Sequence, residues 1–71
     1  MNNYIETVKL GIERETGREV SHIDEVGIGG GRFLVYFEDM RHLAEEGDPA
    51  CEEMTVSEIS KFWRKGYALR A

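Results

Sequence analysis

The chain has little cysteine, little proline and no long apolar run. Cys51 is the only cysteine among 71 residues, so no disulfide can form within the chain. No apolar run approaches the about 18 residues of a membrane span. The opening MNNYIETVKL has no basic region followed by an apolar core, so no signal peptide is expected. The lone thiol and the missing leader point to a reducing, cytoplasmic setting. One proline, 41% apolar and 32% charged residues describe a globular chain, not a disordered one. A chain of this length makes one domain, residues 1–71, and buries only about 60% of its unfolded surface.

Catalytic parts are also missing. Four glycines fall within five residues at Gly27, Gly29, Gly30 and Gly31. A phosphate-binding loop would need Lys-Ser/Thr after the last glycine and then a helix. Here Arg32 and Phe33 follow, and the next residues read as a strand. The dinucleotide pattern also fails, because its last position holds Arg32. The stretch is therefore expected to be a hairpin turn, with glycine supplying positive φ. His42, Glu46, Asp48 and Cys51 match no metal-ligand spacing, and no metal or other cofactor is expected. Cys51 sits before Glu52 and Glu53, which disfavour a thiolate. Ser21, Ser57 and Ser60 have no nucleophile-elbow context. A hydrolytic carboxylate pair would need a cleft that so small a domain rarely forms. No enzyme is expected.

What is present begins with helical and strand periods. Asn3 and Glu6 are placed as a capping box, Ile5, Val8 and Ile12 repeat at helical spacing, and Gly17 reads as a stop. Leu10 lies off that stripe. Residues 20–28 and 32–38 then read as two strands. A turn at Gly30 and Gly31 places Ile28 opposite Phe33, Val26 opposite Val35 and Asp24 opposite Phe37. RFLVYF is apolar on both faces, so a hairpin covered on one side would leave Leu34 and Tyr36 wet. Either helices cover both faces, or another chain covers one. Met40, Leu43 and Ala44 suggest a short helix ending at Gly47. Asp48 and Pro49 read as the cap and first position of a helical restart. Thr55 and Glu58 form a second capping box, followed by Val56, Ile59, Trp63 and Tyr67 with Phe62 alongside. Gly66 reads as ending or loosening that helix. The fold expected is α+β: α-β-β-α, with a glycine-tipped antiparallel hairpin packed by an N-terminal and a C-terminal helix, plus a short helix before the last. Its core is expected to hold Ile5, Val8, Ile12, Val26, Ile28, Phe33, Val35, Phe37, Leu43, Val56, Ile59 and Trp63.

The net charge of −5 is unevenly placed. Residues 1–37 hold six acids and four bases, and residues 38–60 hold eight acids and Arg41 alone. Residues 61–71 hold four bases and no acid. This leads to the first functional expectation: a small acidic, non-catalytic regulator or inhibitor that occupies a basic, nucleic-acid-binding surface of a partner protein. Glu45, Glu46, Asp48, Glu52 and Glu53 are its partner-binding candidates, joined by Tyr36 on the wet side of the hairpin. Compact acidic domains of this type serve mobile elements against host defences, which makes an anti-defence role part of that expectation. The alternative is a nucleic-acid-binding transcriptional regulator using Lys61, Arg64, Lys65 and Arg70. The stretch TVSEI resembles the opening of a helix-turn-helix, with Thr55, Glu58 and Ile59 in the matching places. That resemblance covers about ten residues and stops at Gly66, after which too little chain remains for a recognition helix. A third expectation is a structural subunit of a larger assembly. Open strand edges add the expectation of a homodimer.

Overall fold

A computed structural model describes residues 3–27, 31–47 and 50–70. Helix α1 (Asn3–Thr16) leads to strand β1 (Val20–Val26) and strand β2 (Arg32–Phe37). A 3-10 turn (Glu38–Met40) runs into the short helix α2 (Arg41–Glu45). Strand β3 (Glu52–Thr55) and helix α3 (Val56–Arg70) complete the chain. The three strands form one antiparallel sheet in the order β1-β2-β3. This is the expected α+β arrangement with one more strand.

The core lies between the two long helices and one face of the sheet. Val8 and Ile12 of α1 and Ile59 of α3 are fully buried, and they pack with Val20, Phe33, Val35, Phe37 and Met54. Each fully buried aliphatic side chain of this size contributes roughly 1.5–3 kcal/mol, so these few residues dominate the stability of so small a domain. Ile5, Ile23, Met40, Phe62 and Trp63 pack around them. Alternation along β2 explains the division: Phe33, Val35 and Phe37 are buried, whereas Leu34 and Tyr36 are half-buried on the other side.

The hairpin register differs from the expected one. Val26 pairs with Arg32, Asp24 with Leu34 and Ile23 with Val35, a displacement of three residues. An odd displacement turns the whole strand over. Ile23 therefore faces the core, and Val26 lies half-buried on the opposite face. The pairing runs as far as Val26 with Arg32, and Gly27 just beyond it takes φ +86°. A β-bulge between Val20 and His22 adds the extra residue that turns Val20 inward as well. Val20 and Ile23 are three apart, so a regular strand would send them to opposite faces. The bulge lets Val20 join the buried core while Ile23 packs half-buried against it. Ile28, Gly29 and Gly30 lie outside the described residues, as do Asp48 and Pro49.

Other expectations are corrected further along. Residues 52–55 are extended, not helical, because the outer edge of β2 offers unpaired backbone groups for β3 to satisfy. Met54 is the one β3 side chain buried there, so the segment carries too little periodicity to read as a strand. Helix α3 buries Ile59 and Gly66, with Phe62 and Trp63 packed on the core. Val56 and Tyr67, expected on the core stripe, are 46% and 58% exposed. Leu43 is half-buried outside the core cluster.

Gly66 does not end its helix, which continues to Arg70. It is where α3 meets α1 backbone to backbone. A Cβ at Gly66 would collide with the Thr7 carbonyl oxygen, and one at Gly11 would collide with the Phe62 carbonyl oxygen. Gly17 ends α1 as expected, with φ +72° and its N–H donating to the Glu13 carbonyl at 2.9 Å. The capping box at the start of α3 also forms. Thr55 N–H donates to Glu58 Oε1 at 3.2 Å, and Glu58 N–H donates to Thr55 Oγ1 at 3.3 Å.

Candidate functional site

Both long helices pack on the Phe33 side of the sheet, so neither covers the second face. Its centre is β2. Tyr36 lies opposite His22, Leu34 lies between Asp24 and Glu53, and Arg32 lies between Val26 and Thr55. The rings of His22 and Tyr36 stack with centroids 4.1 Å apart and planes 11° apart. His22 Nε2 stands 3.7 Å from Asp24 Oδ2, and Ser21 Oγ is 3.3 Å from His22 Nδ1. Arg32 Nη1 pairs with Glu53 Oε2 at 3.3 Å. A shallow hollow beside Tyr36 is lined by Arg41, Ala44 and Ala50, so α2 flanks this face at one end. Desolvation pushes the Tyr36 phenol above the usual tyrosine range, and Cys51 and Asp24 add to the shift. The phenol is therefore neutral at physiological pH and available as donor and acceptor.

The acidic candidates are distributed, not gathered on one face. Glu45 ends α2 and Glu46 follows it, both exposed. Asp48 lies outside the described residues. Glu52 and Glu53 are neighbours on β3 and therefore point to opposite faces. Glu53 stands on the helix-free face, opposite Leu34, and is held by Arg32. Glu52 stands opposite Val35 and pairs with Arg18 at 2.8 Å. Tyr36 thus shares a face of the sheet with Glu53, which stands opposite Leu34, and is separated from Glu52 by the sheet.

Arg18 organises that other side. Its guanidinium grips both Asp39 oxygens at 2.8 Å, reaches Glu52 with a third N–H, and lies 3.7 Å from the Phe37 ring centroid. Asp39 and then Glu52 push its already high pKa further up, and Arg18 holds the Asp39 carboxyl below the usual carboxylate range. Glu52 therefore does structural work, whatever else it touches.

The basic candidates are also divided. Lys61, Arg64 and Lys65 fall by helical spacing on the flank of α3 away from Ile59, Phe62 and Gly66. Lys65 Nζ lies 3.3 Å from Glu15 Oε2. Arg70 Nη1 instead donates to Thr7 Oγ1 at 2.9 Å, across the helix pair. Arg70 lines a second hollow with Tyr4, Trp63 and Tyr67. There the ring centroids of Tyr4 and Trp63 are 6.1 Å apart, and those of Trp63 and Tyr67 are 5.1 Å apart. The i, i+4 spacing of Trp63 and Tyr67 was a sequence signal for their stacking, but Tyr4 joins them only through the packing of α1 on α3.

Among the described residues, no three His, Cys, Asp or Glu side chains come together as a metal site, and no helix is long and apolar enough to cross a membrane. Sequence reading missed His22 and Asp24 as members of the helix-free face. Both alternate correctly with Ile23, but the displaced register set them against other partners. No protein-family model matches the chain, and neither a curated protein nor a solved structure matches it.

Proposed function

We propose that the protein is a non-catalytic, cytoplasmic binding module that regulates or inhibits a partner protein by occupying its surface. The observation that carries this reading is the helix-free sheet face. Tyr36 and Leu34 form an apolar centre, and Asp24, His22 and the Arg32–Glu53 pair border it, with Glu45 and Glu46 exposed at and just after the end of α2. An aromatic anchor inside a polar rim is the usual anatomy of a protein interface. A net charge of −5 favours a basic partner surface and fast encounter with it. A surface that normally holds nucleic acid fits this description, and such a module suits an anti-defence role for a mobile element.

The test compares tagged wild-type protein with two variants in nuclease-treated lysate of the source cell. Tyr36→Ala removes the anchor. A second variant neutralises Glu45, Glu46, Asp48 and Glu53 to the corresponding amides and leaves the Arg18 partner Glu52 intact. A partner protein bound by the wild type and lost by both folded variants is the expected result. Equal recovery by all three proteins overturns the face. Nucleic acid in the eluate of an untreated lysate, with recovery abolished by nuclease, transfers the function to Lys61, Arg64 and Lys65.

A further inference from the structure

Strand β1 is an edge strand of the sheet, and no strand lies on its outer side among the described residues. It runs seven residues, Val20–Val26, with no proline, lysine or arginine to discourage pairing. The opposite edge is different. Strand β3 has four residues, and its adjacent carboxylates Glu52 and Glu53 are held by Arg18 and Arg32. The bulge between Val20 and His22 and the acids Asp24 and Glu25 restrict which registers the β1 edge tolerates, which raises the question of what satisfies the outer backbone groups of its regular part.

We propose that a second copy of this chain does, with the two β1 strands pairing antiparallel about Ile23 to make one continuous sheet.

Symmetry and charge select this register. A two-fold axis perpendicular to the sheet keeps both helix layers on the same side, so that the two cores adjoin. Directly opposed residues must then share a face, which places one residue opposite its own copy at the axis. Val20, Ser21 and Val26 are unsuitable centres, because they lie at the strand ends or in the bulge and would pair too few residues. Centring on His22 opposes two imidazoles. Centring on Asp24 or Glu25 opposes two carboxylates, which is destabilising. Centring on Ile23 opposes two apolar side chains already packed against the core. It also sets His22 opposite Asp24 of the second copy, and Asp24 opposite His22 of the second copy. The sequence His22-Ile23-Asp24 is thus self-complementary in one register only. Within one chain the same two side chains already lie 3.7 Å apart, so each imidazole gains a second carboxylate in the dimer. The inference does not depend on the partner-binding reading, and its test reads only the protein's own mass.

Sedimentation equilibrium on the full chain tests it. The expected wild-type mass rises from 8.1 kDa towards twice that value across the micromolar range. Asp24→Lys removes both carboxylates and sets an ammonium opposite each imidazole, and His22→Glu sets two carboxylates against each other in both cross-strand pairs. The two side chains are 56% and 55% exposed, so both variants keep the fold, which circular dichroism verifies. Each variant alone should dissociate at least about tenfold more readily, which corresponds to about 1.4 kcal/mol lost over the two symmetry-related pairs. An equimolar mixture of the two variants should recover the dimer, because the lysine introduced at position 24 of one chain then faces the glutamate introduced at position 22 of the other, and His22 of the first faces Asp24 of the second. A wild-type mass that stays at the monomer value at high micromolar concentration overturns the proposal. So does a mixture that associates no better than its components, or single variants that dimerise like the wild type.

Discussion

Gly11 and Gly66 stand where a methyl group has no room. Helix propensity alone would make alanine stabilising at either position by about 1 kcal/mol. The close approach of the two backbones reverses that sign, since each new Cβ meets a carbonyl oxygen of the other helix. Forced overpacking of this kind costs about 1–3 kcal/mol. We expect Gly11→Ala and Gly66→Ala each to lower the unfolding free energy in urea by about 2 kcal/mol. An unchanged or higher midpoint would show that the helices separate at little cost. The two sites are neighbours, with the Gly66 nitrogen 3.0 Å from a Cβ at Gly11. Once one substitution has pushed the helices apart, the second should cost less, so the double variant should fall short of the sum. Neither role was legible in the sequence. A glycine late in a helical pattern looks the same whether it ends the helix or admits a neighbour, and only the partner backbone decides between them.

At the scale of elements, Thr55 closes β3 and caps α3, so one residue converts an extended chain into a helix. Its hydroxyl accepts the Glu58 N–H, and the Glu58 carboxylate accepts the Thr55 N–H. Replacing Thr55 by Ala should destabilise the protein by about 1 kcal/mol in urea denaturation, whereas Ser should preserve most of the stability. Equal losses for both would place the effect in the β3 pairing with Arg32, not in the cap. This box was legible because both partners lie within three residues of each other. The same holds for the α1 stop at Gly17 and for the core positions Val8, Ile12 and Ile59. The hairpin register was not legible. It depends on a bulge near the start of β1, and the alternation of Phe33, Val35 and Phe37 is satisfied by more than one partner strand.

At the scale of the whole molecule, Arg18 joins three distant segments: the connection after α1, the 3-10 turn through Asp39, and β3 through Glu52. Removing it should loosen the closed end of the sheet and lower the thermal midpoint at neutral pH. The pH dependence has a definite sign. Asp39 is held below its ordinary carboxylate range in the folded protein, so its contribution is complete above that range. It is lost as the pH falls through the depressed folded-state value. The difference in thermal midpoint between wild type and Arg18→Ala should therefore narrow in acid, and it should also narrow in high salt because the cluster is solvent-facing. A difference that is constant from neutral to strongly acid pH would assign the effect to packing on Phe37 instead of to charge. No spacing in the sequence marks Arg18 for this role, since its partners lie 21 and 34 residues away.

The sequence by itself determined the class of object: a small acidic α+β chain, its two long helices, a hairpin between them and the inward-facing residues of β2. These follow from local rules, because capping, helical period and strand alternation act over a few residues. The tertiary structure decided which face of β1 is buried, that a third strand exists, and that two glycines seat one helix on the other. It also decided that Glu52 and Glu53 serve opposite sides of one sheet, and that Tyr36 and His22 stack on the face without helices. Each of these depends on contacts between residues far apart in the chain, where several pairings meet the local rules equally well and the burial of apolar surface selects one.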